Sequence, residues 1–421
     1  MATQPLRQLV TVLRGCIRGG NHTRALRLLA TNMPRVGGHY LLRRYAAQIL
    51  KEMGRTRQAV EIFEMLVRHF TNAGHPLLAI AVAHELSELE PNVGSHFDHL
   101  ARVYALGSPF IDASQSLKPL EGISNGAQLD LSGAQPEAPL DELAAMVHEM
   151  ALRKERFVAT PDTVAPIPLL SRLDMRTLRT LVEMLRPVRF SDEELVHSPQ
   201  KPLTGPMWIV SGQVRGQSLE GRRMEVGVGT LLGYRTILEQ PPGDEPVACT
   251  ARESVEGLLL DQDTLPMVRS DVTVQRTVAN FDLACLIDRA LERSAVFSRI
   301  PHLERAAVVE RMQARLLDDN TTIIHQGQSS DGLYLVVDGR IDINKRDGEW
   351  DVTFKTLAIG EVVGEISLVT DGPAVASVVT DGPTRVLFMS RDQVRTMCDA
   401  YPEVLAELRE SAAKRLLAQE K

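Results

Sequence analysis

Three stretches of this 421-residue chain set side chains capable of chemistry at fixed spacing. The first is Leu357-Ala-Ile-Gly-Glu-Val-Val-Gly-Glu-Ile-Ser-Leu368, followed by Pro373-Ala-Val-Ala-Ser-Val378. Gly364, Ala376 and Ser377 are small enough to let an anion approach the amides of a short helix, and Glu365 beside the glycine can instead cap those amides. The second, His84-Glu-Leu-Ser-Glu88, opens like a zinc-protease helix, but Glu88 stands where a second histidine would have to share the metal, so it reads as a charged helix face. The third, Gly227-Val-Gly-Thr-Leu-Leu-Gly233, spaces its glycines wrongly for a dinucleotide loop. No nucleophile elbow, P-loop or kinase loop is present, so the expectation is a protein that is not an enzyme.

The first stretch resembles the phosphate-binding cassette of cyclic nucleotide-binding domains, in which a Gly-Glu-Leu-Ala-Leu run is followed by Pro-Arg-x-Ala-Ser/Thr-Val. Gly364, Glu365, Leu368, Pro373, Ala376, Ser377 and Val378 match. The resemblance extends to Ile323-Ile-His-Gln-Gly327 and to the strand pair Gly332-Leu-Tyr-Leu-Val-Val-Asp-Gly-Arg-Ile-Asp-Ile343. It implies that Glu365 takes a ribose 2′-hydroxyl and that Gly364, Ile366, Ser367, Ala374, Ala376 and Ser377 border the ligand, which would be cAMP, cGMP or a cyclic dinucleotide. Ala374 stands where the family's phosphate-binding arginine should be. A charge-assisted phosphate contact contributes on the order of 1.5–3 kcal/mol, so its loss weakens binding roughly 10- to 150-fold. Arg385, eleven positions on, is a remote substitute.

This module occurs twice. Leu169-Leu-Ser-Arg-Leu173 resembles Val296-Phe-Ser-Arg-Ile300, Met207-Trp-Ile-Val resembles Leu333-Tyr-Leu-Val, and Val247-Ala-Cys-Thr250 resembles Val375-Ala-Ser-Val378. The offsets, 296 − 169 = 127, 333 − 207 = 126 and 375 − 247 = 128, are nearly constant. Each copy is expected to open with a helix, over 175–185 and 303–316, and to continue as a small antiparallel β-roll with glycine turns such as Lys345-Arg-Asp-Gly348. In the first copy Tyr234 replaces the cassette glutamate and Pro246 sits near the arginine position, which makes it a packing platform. Its Arg222-Arg223 pair reads as a solvated hairpin tip.

Ahead of the two rolls, residues 7–106 show apolar positions recurring at three and four, as in Ala59, Ile62, Phe63, Leu66 and Val67. Gly20-Asn-His-Thr-Arg-Ala25 echoes Gly54-Arg-Thr-Arg-Gln-Ala59 at 59 − 25 = 34, the period of tetratricopeptide repeats, and Gly74 to Ala79 keeps the same spacing. The segment is helical as a short solenoid or as an ordinary bundle. From Ser108 to Pro139 the composition turns to Ser, Gly, Pro and Gln, including Gly122-Ile-Ser-Asn-Gly126, as in a flexible linker. One helix is expected over 140–156, with Leu143, Met146, Val147 and Met150 on one face.

A formal net charge of −7 disfavours nonspecific nucleic-acid binding, which demands a basic face. The four cysteines, Cys16, Cys249, Cys285 and Cys398, are too dispersed for a zinc site and read as reduced thiols. No signal-peptide pattern or apolar run of about 18 residues is present, which suggests a cytoplasmic location without membrane insertion. Catabolite-activator-type regulators carry a helix-turn-helix after this fold, and the residues that follow the cassette here lead to no expectation of one. Kinase regulatory subunits carry an inhibitor segment, which 108–163 lacks.

The sequence therefore predicts a multidomain α+β protein: a tetratricopeptide-like helical domain over 1–107, a linker with one helix over 108–163, and two tandem β-rolls over 164–290 and 291–421. It suggests a bacterial regulatory adaptor whose helices bind a protein partner. The alternatives are a true cyclic nucleotide or cyclic dinucleotide receptor and a ligand-free scaffold that dimerises or docks. Val404, Leu405, Leu408, Ala412, Leu416 and Leu417 form one stripe on a final helix over 402–419, able to pack on its own roll or on a second copy.

Overall fold

The computed structural model of the protein describes residues 4–36, 39–121, 128–217, 221, 223–240, 248–347 and 350–419. The chain divides into two compact units, 1–279 and 280–421. Gly122 and Gly126, Arg222, Pro246, Val247 and Gly348, singled out in the sequence, lie outside the described residues.

The first unit begins with six helices: α1 (Gln4–Arg18), α2 (His22–Arg35), α3 (Tyr40–Glu52), α4 (Thr56–Asn72), α5 (Pro76–Ser87) and α6 (Gly94–Tyr104). In α1 the buried residues Leu6, Leu9, Leu13 and Cys16 follow the helical period. Each helix packs on the next. The residues that carry the 34-residue echo do the same mechanical work in each place. Gly20, Gly54 and Gly74 turn the chain at φ 66°, 73° and 84°, a conformation that a Cβ disfavours. Ala25, Ala59 and Ala79 are fully buried in the helices that follow.

The segment 108–163 differs from the expected linker. Apart from α7 (Leu140–Leu152) and a bridge between Ile111 and Val164, its described residues form no regular element, yet the helices hold its backbone. Asn32 exchanges two hydrogen bonds with the Asp130 main chain (2.7 and 2.8 Å), Thr31 donates to the Gln135 carbonyl (2.7 Å), and Asn72 donates to the carbonyls of Val158 and Ala159 (3.1 and 2.7 Å). Polar side chains on helix surfaces thus satisfy a coil that has no ladder of its own. Helix α7 docks on α2, α3 and α4. It buries Leu143, Ala144, Val147 and Ala151, with Met146 and Met150 half-buried at the margin of that stripe.

After α8 (Met175–Met184) comes a sheet of β1 (Leu185–Phe190), β2 (Leu195–His197), β3 (Met207–Gln217), β4 (Arg223–Val226), β5 (Leu231–Leu232) and β6 (Ala248–Leu260), followed by α9 (Leu265–Ser270) and α10 (Val272–Arg293). The ion network that joins this sheet to the helices has no sequence signature. Arg44, 4% exposed, reaches both Glu256 oxygens at 2.7 and 2.6 Å and both Glu85 oxygens at 3.1 Å. Arg189 adds contacts to Glu85 (2.6 Å) and Glu256 (3.3 Å). Glu85, assigned from its motif to a charged helix face, belongs to this interior cluster. Burial alone would raise the Glu256 pKa, but Arg44 and Arg189 outweigh it and hold the carboxyl at about 2.

The second unit carries α11 (His302–Val309), β7 (Gln313–Leu317), β8 (Thr322–Ile324), β9 (Gly332–Asp347), β10 (Trp350–Leu357), β11 (Val362–Val363), α12 (Glu365–Thr370), β12 (Ser377–Ser390), α13 (Arg391–Ala400) and α14 (Pro402–Gln419). Its sheet order, β10-β9-β12-β7 with β8 on β12 and β11 on β9, repeats element for element the order β4-β3-β6-β1 with β2 on β6 and β5 on β3. All of these pairs are antiparallel. One expectation is corrected: the opening helix of this roll ends at Val309 rather than continuing to 316. Residues Gln313–Leu317 instead pair with Phe388–Thr384 of β12, because an open sheet edge offers them ladder hydrogen bonds.

Candidate functional site

The cassette lies between β11 and β12, and its geometry begins at Gly364. This residue has φ 97°, and a Cβ there would come within 2.3 Å of the Gly332 carbonyl oxygen. The glycine is therefore required by a close approach to the start of β9 as well as by its own turn. Immediately after it, α12 carries Glu365, Ile366 and Ser367, of which Glu365 (1% exposed) and Ser367 are buried.

On the other side of the cassette, the main chain of Ala374 is locked to a turn, its amide donating to the Gln328 carbonyl and its carbonyl accepting from the Gly327 amide, both at 2.8 Å. Between these walls lies a cavity of about 350 Å³. Six of the sequence-predicted residues, Gly364, Glu365, Ile366, Ser367, Ala374 and Ala376, line it. Ser377 is not among the lining residues: its hydroxyl accepts from the Gln326 amide at 3.0 Å and so fastens the preceding turn.

The residue that sequence reasoning missed is Arg415. It comes from α14, which packs against α12 and α13 and buries Val404, Leu408 and Ala412, while Leu405 and Leu416 are half-buried and Leu417 is exposed. The stripe thus seats this helix on its own roll and aims the next face at the cassette. Arg415 Nη1 donates to Glu365 Oε1 at 2.6 Å and to the Val362 carbonyl at 2.7 Å, and its side chain is 14% exposed. No local motif marks it; the only signal was its place on a helix whose other face is apolar.

Burial pushes the Glu365 pKa up, and Arg415 offsets that only in part, since one guanidinium on one edge does not replace the lost hydration. Arg415 and its neighbour Lys414 line the cavity together with Lys355 from β10. The Arg385 substitute is corrected: it pairs with the buried Asp282 at 3.5 Å and does not line the cavity.

The matching turn of the first sheet differs in substance. Gly233 again has positive φ, 69°, but Tyr234 follows it, buried, in a 3-10 turn over Tyr234–Leu238. No carboxylate stands at that position. Among the described residues no group of three His, Cys, Asp or Glu side chains could hold a metal ion, and no helix is long and apolar enough to cross a membrane.

Comparison with known proteins bears on this geometry. The family model for the cyclic nucleotide-binding domain matches residues 314–401. A CRP-like cAMP-activated global transcriptional regulator of Mycobacterium tuberculosis is 26% identical over 132 residues, covering 31% of this chain and 58% of the relative. A cAMP-dependent protein kinase regulatory subunit of Dictyostelium discoideum is 24% identical over 186 residues, covering 43% and 54%. The chain thus spans a little over half the length of these curated relatives. Among solved structures, the regulatory domain of Toxoplasma gondii PKA with cAMP aligns over 58% of this chain and 92% of its own, at 19% identity and a TM-score of 0.29. Residues 314–401, which carry the cassette, thus match the cyclic nucleotide-binding domain.

Proposed function

We propose that the protein is a non-catalytic regulatory adaptor whose second β-roll senses a small molecule in the cassette cavity and whose α14 reports its occupancy. The observation that carries this reading is the pairing of Arg415 with Glu365. It places the last helix and the cassette on one hydrogen bond, so a ligand that engages either residue changes the hold on the helix. On this reading the first roll, with Tyr234 in the glutamate position, is a degenerate copy kept as a platform. The helices α1–α6 are tetratricopeptide-like and present a surface to a protein partner.

The test is a thermal-stability and calorimetric screen of the full chain against cyclic nucleotides, cyclic dinucleotides, nucleosides and small organic anions. A ligand at a hundred times its dissociation constant adds about 2.7 kcal/mol of stability. Silence across the whole panel would leave the cavity without a sensory role and favour a docking scaffold.

A second reading, with a cyclic nucleotide as the ligand, is favoured by the family-model match over 314–401 and by relatives whose names include cAMP. It requires Glu365 to accept from a ribose hydroxyl alongside or in place of Arg415, and the phosphate to be held without an arginine at 374. Under it, Ala374→Arg tightens cAMP binding about tenfold or more.

A further inference from the structure

The cavity walls and the cavity charges call for different parts of one ligand. Ile324, Ile343, Phe354, Val363, Val375 and Val378 supply an apolar surface, and Ser367 is the one uncharged polar side chain on the lining. A purine placed there would leave ring nitrogens and exocyclic groups unpaired, and a buried unpaired polar group opposes binding. Glu365 accepts from Arg415 through Oε1, so one edge of the only carboxylate on the lining is already engaged.

Against this apolar wall stand three cations, Lys355, Lys414 and Arg415, with Glu365 as the one carboxylate on the lining. Lys355 pairs with Glu361 and Lys414 with Glu410, each at 2.7 Å, and both are partly solvated pairs of the kind that contribute little and exchange readily. Arg415 Nη2 lies 3.9 Å from Glu361, beyond hydrogen-bond distance.

Resting on the sensor reading above, we infer that this cavity takes a singly charged organic anion with a compact apolar body, such as a medium-chain carboxylate, its head group held by Arg415 with Lys414 and Lys355. Charge complementarity sets the orientation: the head meets α14 and the body fills the space that Ala374 leaves by lacking an arginine side chain. A cavity of about 350 Å³ lies at the small end of the range for ligand sites and suits such a molecule.

The probes are octanoate, 1-octanol and cAMP, each titrated calorimetrically into the full-length wild-type protein and its variants. Octanoate is expected to bind, with 1-octanol, which has the same body without the charge, at least about tenfold weaker. Arg415→Gln weakens octanoate by a similar factor, and Arg415→Lys retains part of the affinity. Because Arg415→Gln strands a buried carboxylate, the double variant Glu365→Gln/Arg415→Gln is the companion test; it keeps the site neutral and still loses octanoate. Equal binding of octanoate and 1-octanol, or full octanoate affinity in the double variant, overturns the inference. Binding of cAMP without octanoate overturns it too but leaves the sensor reading standing, whereas binding of none of the three, with silence in the wider panel, overturns both.

Discussion

Two buried glutamates, each salt-bridged to an arginine from a distant helix, behave in opposite ways. Glu256 (6% exposed) is gripped on both oxygens by Arg44 and touched by Arg189, and its carboxyl is held at about 2. Glu365 (1% exposed) has one bond to one partly exposed arginine, and its pKa rises. The difference lies in contact geometry: Arg44 grips both Glu256 oxygens with Arg189 beside Oε1 and together they outweigh desolvation, whereas Arg415 on one Glu365 oxygen and the more distant Lys355 do not. The first cluster is therefore a brace between the helices and the first sheet, and the second is a single contact between α14 and the cassette, the latch of the proposed sensor.

The sharpest way to break this contrast is at the brace. Arg44→Ala leaves Glu256 and Glu85 buried without their main partner and is expected to destabilise the 1–279 unit by about 3–5 kcal/mol. Chemical unfolding followed through the buried Trp208 would measure it. A loss under about 1 kcal/mol would make the brace no stronger than a surface pair.

Acid distinguishes the two sites next. The folded pKa of Glu256 lies below its ordinary 4.5, so its contribution to stability is complete above about 4.5 and is lost as the pH falls toward about 2. Glu365 has the opposite sign: its raised pKa means that it weakens the fold as the pH rises through that value and is least harmful below 4.5. Unfolding scans from pH 6 to pH 2 on wild-type protein and on Glu256→Gln should therefore converge toward low pH, with the wild type losing more stability on acidification. Parallel curves would mean that Glu256 titrates as an ordinary carboxyl.

Smaller effects are expected at the latch. Arg415→Gln should cost about 1–3 kcal/mol in the 280–421 unit, the range for stranding a buried acceptor. Adding Glu365→Gln should recover most of that, leaving the double variant within about 1 kcal/mol of wild type, since a neutral pair removes the desolvation penalty. Calorimetric melting of the two variants side by side tests both; a double variant worse than the single one would show the charges to be structural.

Much of the second roll was legible because its constraints are local. The glycine of the cassette, the small residues beside it and the alternation of β9 all reflect backbone geometry, which leaves a mark within a few residues. The shared strand order of the two sheets likewise shows as landmarks at nearly constant offset. What stayed hidden depends on distance: Arg415 reaches Glu365 across fifty positions and Arg44 reaches Glu256 across 212, and an arginine on a helix surface looks the same with or without a buried partner. The strand at Gln313–Leu317 was misread for a related reason, because its conformation comes from β12 rather than from its own period. The coil around α7 reads as a linker by composition, and the side chains that hold it, Asn32 and Asn72, belong to other elements.

Whether Arg415 fastens α14 to the cassette is tested most directly by amide hydrogen exchange on the full chain. In Arg415→Gln, peptides covering 402–419 and α12 should exchange faster than in wild type, while peptides from α3 and α5 stay unchanged. Exchange in 402–419 that is the same in both proteins would contradict the latch and leave α14 held by its apolar stripe alone.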